Sequence, residues 1–158
     1  MEIRLASKEE FEVEVSEFRK IKIEKLRKIE PKWACGKHTD KIRDYSQHPE
    51  FGDYKIFNVS IEDLLVNVEF CDFDLTKLFV DDIASDYRVV STLKRWLNND
   101  YVDPLTLTLN GSTNKQFSIS DGRHRFKISN FLGLKKIPIA IHELNIEYIG
   151  RIITLEEL

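Results

Sequence analysis

The octapeptide Ile119-Ser120-Asp121-Gly122-Arg123-His124-Arg125-Phe126 marks the passage from one hydrophobic period to another. Before it, Phe117 and Ile119 alternate with polar residues, as in a half-buried strand. After it, Phe126-Lys127-Ile128-Ser129-Asn130-Phe131-Leu132 carries apolar residues at the spacing of a short helix, and Gly133 is placed to stop that helix in a left-handed cap. Lys135-Lys136-Ile137-Pro138-Ile139-Ala140-Ile141 then returns as a strand. In such a strand, turn and helix, Asp121 is placed to cap the helix and Gly122 lets the backbone approach a ligand without a Cβ in the way. The free amides of a first helical turn and the helix dipole favour an anion there. Arg123 and Arg125 can donate paired hydrogen bonds to phosphate oxygens, and His124 can donate one or carry a proton near neutral pH. Two accounts of these residues are open: a phosphate site, or an ordinary capped helix with its arginines in solvent.

Towards the N-terminus, Leu105, Leu107 and Leu109 alternate with threonines and pair with the strand at Phe117 across Asn110-Gly111-Ser112-Thr113-Asn114. Ile83, Tyr87, Val90, Leu93, Trp96 and Leu97 recur at three- and four-residue steps and predict a helix from about Asp82 to Asn98. Tyr54 to Val59 reads as a strand, Ser60 to Leu65 as a turn or short helix, and Leu65 to Phe70 as a second extended piece. Pro31 to Asp53, with Gly36, Pro49 and Gly52, reads as a long irregular connection of the kind used for lids, binding loops or linkers. Ser16 to Glu30 predicts an amphipathic helix ending before Pro31. Phe11-Glu12-Val13-Glu14-Val15 alternates like a strand, although Ser7-Lys8-Glu9-Glu10 also resembles a capping box. No internal repeat or low-complexity tract is present.

The 158 residues fit one ordinary domain, with 42% hydrophobic and 32% charged residues, a composition that builds a core and does not suit disorder. The net charge of -3 argues against a general nucleic-acid coat. It conceals a dipole along the sequence: Arg19 to Arg43 holds ten basic residues against three acids, and Glu62 to Asp86 holds eight acids against one lysine. These are two solvated faces, or the basic segment 19–43 binds a partner, with Lys22, Lys25 and Lys28 as candidate nucleic-acid contacts. The charged N-terminus does not suit a secretory signal, and apolar runs of about five residues cannot cross a membrane. A cytoplasmic protein with reduced thiols at Cys35 and Cys71 is expected. Cys35, His38, His48 and Cys71 fit no compact zinc spacing, so no metal ligands are assigned among them. Trp33, Trp96 and His142 are expected to be structural.

Asp121-Gly122-Arg123-His124-Arg125, followed by Leu132-Gly133-Leu134-Lys135-Lys136-Ile137-Pro138-Ile139, resembles the signature of the ParB/sulfiredoxin-like superfamily. There a strand, a Gly-x-x-Arg loop, a helix, a Leu-Gly pair and an Ile-Pro-Val strand follow in that order. Asp103-Pro104-Leu105-Thr106-Leu107 and Val59-Ser60-Ile61-Glu62-Asp63-Leu64 are similar to earlier parts of the pattern, so the resemblance covers about Tyr54 to Glu143. It implies an α+β fold, a mixed sheet with flanking helices in residues 54–158, preceded by an N-terminal extension and irregular loop in residues 1–53.

The resemblance also implies that ATP or CTP is bound by its phosphates at Gly122, Arg123, His124 and Arg125, with Asp121 ordering the loop or a Mg²⁺ ion. Arg123 stands where sulfiredoxins carry the nucleophilic cysteine, which excludes that reduction chemistry. Only 15 residues follow Glu143, so a full partition protein with its DNA-binding and dimerisation domains is not expected. The closest version of the motif, Asp-Gly-His-His-Arg, occurs in free serine kinases, whose general base follows the first strand. Glu69 stands at a similar place and is the candidate base, with His124 as a second catalytic candidate; the alternative for Glu69 is an exposed strand residue. The expected function is a Mg²⁺-dependent phosphotransferase or NTP hydrolase. The alternatives are a nucleic-acid-associated accessory protein of a plasmid, phage or mobile element, and a nucleotide-sensing module without turnover.

Overall fold

The computed structural model describes residues 8–70, 73–110 and 115–158. In chain order its elements are α1 (Lys8–Arg19), α2 (Ile23–Leu26), β1 (Tyr54–Ser60), α3 (Ile61–Asn67), α4 (Ile83–Leu97), β2 (Leu105–Leu109), β3 (Phe117–Asp121), α5 (Arg123–Phe131), β4 (Lys136–His142), α6 (Ile146–Gly150) and β5 (Glu156–Glu157). Short 3₁₀ turns interrupt the connection between α2 and β1. The strands form one mixed sheet in the order β3-β2-β4-β1-β5.

The apolar run of β4 lies at the centre because strands cover both of its edges. β1 pairs antiparallel with it from Tyr54↔His142 to Ser60↔Lys136, and β2 runs parallel on the other side from Leu105↔Ile139. Pro138 is accommodated because the β2 ladder begins only at Ile139. The fold class is therefore α+β, a mixed five-stranded sheet with flanking helices. None of the described helices is long and apolar enough to cross a membrane.

Two apolar clusters hold the layers together. One contains Phe57, Leu64, Leu105, Phe117, Phe126 and the three isoleucines of β4; the other contains Leu26, Val89, Leu93, Trp96, Val102, Ile128 and Leu132. Helix α5 contributes Phe126 to the first and Ile128 to the second, so packing on two sides fixes its position. Side chains cap the other framework helices: Ser60 accepts from the Asp63 N–H at 3.0 Å, and Asp82 from the Ser85 N–H at 3.0 Å.

The N-terminal third departs from the sequence expectation. Phe11 to Val15, expected to be extended, lies within α1. Val13, which a strand would place on the same face as Phe11 and Val15, is exposed, while Val15 is buried and the Phe11 ring lies 4.2 Å from that of Tyr87. The 3.6-residue period wins because α4 offers a face to pack against, and Glu14 forms an ion pair there with Lys94. The single helix expected over residues 16–30 is broken: α1 stops at Arg19, and α2 is one turn that brings Arg27 Nε to donate to Phe131 O at 3.1 Å. Leu65 to Asn67, expected to be extended, completes α3, leaving Val68 as an isolated bridge to Phe117. Residues 8–53 are bound to the rest by more than side chains. Trp33 bridges Val102, the Ala34 N–H donates to Val102 O at 2.9 Å, and the Val102 N–H donates to Lys32 O at 3.0 Å.

Candidate functional site

The loop between β3 and α5 is over-determined by its surroundings. Gly122 has φ +104°, and a Cβ there would lie 2.8 Å from Leu105 Cγ, so both conformation and close approach require glycine. The glycine serves internal packing, a reason the sequence reading did not give. The first helical bond runs from the Phe126 N–H to Gly122 O at 2.9 Å, so the amides of residues 123 to 125 precede the ladder. Asp121, expected to cap α5, does not; the capping position is Gly122, and Asp121 forms an ion pair with Arg125 at 3.1 Å. The Arg125 guanidinium also donates to the carbonyls of Asp103 and Pro104. It is thus an internal clamp between the loop and the start of β2, instead of the bidentate phosphate donor expected from its place in the motif.

Against this loop lies a cavity of about 350 Å³ lined by Asp121, Gly122, Arg123, His124 and Arg125 and, from α4, by Tyr87, Arg88, Ser91 and Thr92. Arg88, Ser91 and Thr92 fall three and four residues apart and form the polar face of a helix whose other face, Val89, Val90, Leu93 and Trp96, is buried. Sequence reasoning used only the apolar stripe of this helix. Its polar complement was the signal for the second wall of the cavity.

His124 stands between the cavity and the interior. Its Nε2 and Ser85 Oγ form a hydrogen-bonded pair at 3.0 Å, and its ring meets Phe73 edge-on at 4.9 Å. Burial first, then the charges of Lys127, Arg88 and Arg123, push the imidazole down to about 4 from its ordinary 6.5, against an opposing pull from Asp86. Of the two roles open to His124 from the sequence, this burial disfavours the proton near neutral pH and leaves a neutral hydrogen-bonding ring. One turn further along, Lys127 is 1% exposed with Nζ 4.8 Å from the Phe73 ring, and it has no hydrogen-bond partner among the described residues. Burial lowers its pKa, while Asp86 and Asp74 pull it upward.

The other sequence candidates lie apart from this cavity. Glu69 is half-buried, and its N–H donates to the carbonyl of Phe117 at 2.8 Å, at the opposite end of β3 from Asp121. Four residue steps separate those ends, about 13 Å. Lys22, Lys25 and Lys28 are exposed around α2. Arg19, Arg27 and Arg43 of the basic segment are instead engaged internally with Asp86, Phe131 O and Asp100. The Cys35 thiol is free and half-buried, with its pKa raised by burial; His38 stacks on Tyr101 and His48 on Phe51, and Cys71 lies outside the described residues. Trp96 is buried, and its Nε1 donates to Lys32 O at 2.9 Å.

What the geometry defines is an α+β protein with a cationic cavity at a helix N-terminus. No protein-family model, no curated protein and no solved structure matches the chain.

Proposed function

We propose that the chain is a ParB/sulfiredoxin-like protein that binds the phosphates of ATP or CTP at the N-terminus of α5 and acts on them as a Mg²⁺-dependent phosphotransferase or NTP hydrolase. The observation that carries this is the cavity itself, whose wall combines the open amides of α5 with Arg88, Arg123 and Ser91. Phosphoryl transfer depends mainly on positioning and charge neutralisation, and a wall of amides and guanidinium groups suits both. Neutral His124 adds a polar nitrogen without a further charge. Asp121, on the cavity wall, is the carboxylate that would face a Mg²⁺ carried in with the nucleotide.

The test is a thermal-shift series with ATP, CTP and GTP, each with and without Mg²⁺. Ligand at about 100 times its Kd stabilises by about 2.7 kcal/mol, which for a chain of this size raises Tm by about 5–10 °C. Arg88→Ala with Arg123→Ala abolishes the rise and leaves the unliganded Tm in place, since both arginines are exposed. A wild type unmoved by all three nucleotides overturns the assignment. Glu69, the candidate base from the sequence pattern, lies away from this cavity and is tested separately: Glu69→Gln that retains both the thermal shift and product formation removes it as the base.

A second function has its own observation. Ile23, Leu26 and Ile29 turn into the second apolar cluster, which leaves Lys22, Lys25 and Lys28, each one residue earlier, exposed at matching spacing. For nucleic-acid binding through this row, retention falls with salt, and replacing the three lysines by glutamine lowers the slope of log K against log salt by about 3. Retention that salt leaves unchanged excludes it.

A further inference from the structure

Phe73 is not among the described residues that line the cavity beside α5, yet its ring touches three polar side chains of that helix. The Arg123 guanidinium carbon lies 5.2 Å from the ring centre and Lys127 Nζ lies 4.8 Å from it, while the His124 ring meets it edge-on at 4.9 Å. Lys127 follows Arg123 by four residues and His124 by three, so all three share one side of α5. The backbone fixes Phe73 on both sides. Its N–H donates to Phe70 O at 2.9 Å, and the Phe70 ring lies 4.9 Å from the buried ring of Phe126. Asp74 Oδ1 then accepts from the Thr76 N–H at 2.8 Å and from its Oγ1 at 2.6 Å.

The charges of Lys127, Arg88 and Arg123 all bear on His124, so three cations gather around one half-buried ring. Lys127 Nζ has no hydrogen-bond partner among the described residues, and the Arg123 guanidinium forms no ion pair or hydrogen bond with any of them. The acids closest in charge to Lys127 are committed elsewhere, Asp86 to Arg19 and the Val80 N–H and Asp74 to Thr76. A carboxylate in place of Phe73 would hold these cations and neutralise them. An aromatic ring attracts a cation through its quadrupole and adds no net charge, so a guanidinium held this way keeps its charge for an anion.

We infer that Phe73 is a positioning residue of the anion cavity: its ring holds the Arg123 guanidinium and the His124 imidazole at the cavity wall without neutralising them. This rests on the phosphate reading of that cavity. Phe73 acts through Arg123 and His124 and does not itself touch the anion.

The experiment is calorimetric titration of the full chain with inorganic tripolyphosphate at low, constant ionic strength, where exposed charges are least screened. Phe73→Leu is expected to weaken binding about fivefold, and Phe73→Tyr, which restores a ring, to stay within about twofold of wild type. In an Arg123→Ala background, where the principal group that Phe73 holds is gone, Phe73→Leu is expected to change the affinity by about twofold or less. A loosened segment would instead weaken binding equally in both backgrounds. Phe73→Met, a second variant without a ring, keeps the test sound where leucine impairs folding. Equal losses in the two backgrounds, wild-type affinity in the leucine and methionine variants, or a tyrosine variant no better than leucine overturns the proposal. A wild type that binds neither tripolyphosphate nor any nucleotide overturns the phosphate reading and this role with it, whereas intact binding in the ringless variants overturns only the role of Phe73.

Discussion

His124 shows how far a single residue's chemistry depends on its neighbours. The sequence places it beside two arginines and so marks it as an anion contact, but its charge state follows from burial and from Lys127, Arg88 and Arg123, which only the fold brings around it. Its folded pKa of about 4 lies below the unfolded 6.5. Between those values the unfolded chain binds a proton that the folded chain refuses, so this contribution is complete above pH 6.5 and is lost as the pH falls towards 4. Between about pH 7.5 and 5 the loss is at most roughly 2 kcal/mol, reduced by solvent screening because the imidazole is only half-buried. Urea melts of wild type and His124→Gln at the two pH values check this, and the variant is expected to lose correspondingly less. Equal losses in both proteins would show that the imidazole titrates normally.

Among the elements, the unit from Phe117 to Gly133 was legible because each of its signals points the same way: alternation, a glycine, helical spacing and a second glycine. What was not legible is why Gly122 is there, since Leu105 belongs to another strand. Gly122→Ala is expected to cost about 1–3 kcal/mol through positive φ and the contact with Leu105. It is also expected to abolish nucleotide-induced thermal shifts by displacing the first turn of α5. Denaturant melts together with the nucleotide series read both effects, and an alanine variant with wild-type values in each would contradict the packing role of the glycine. Residues 11 to 15 show the converse. Phe11 and Val15 satisfy both a period of two and a period of 3.6, and the choice is made by α4, which buries one helical face and leaves Val13 in solvent.

For the whole molecule, the charge separation along the sequence is partly spent on holding the N-terminal helices in place. Asp86 is 0% exposed; it accepts from the Val80 N–H at 2.8 Å and from the Arg19 guanidinium, so an acid of the negative stretch neutralises a base of the positive one. Arg19→Ala leaves that buried carboxylate without its cation and is expected to destabilise by about 2–3 kcal/mol, below the range for fully buried pairs because Arg19 is partly exposed. Chemical denaturation measures it, and a change below about 0.5 kcal/mol would place the pair among ordinary surface bridges. The strands β1 to β4 and the helices α4 and α5 are written locally, in alternation, helical spacing, caps and glycines acting over a few residues, and so the α+β class and the cationic loop were readable from the chain. The long-range partners are not: the clamp of Arg125 on Asp103 and Pro104, the second cavity wall from Arg88, Ser91 and Thr92, and the neutral His124 all join residues far apart in sequence. No local period encodes such contacts, because burial and charge pairing are settled only when distant elements pack together.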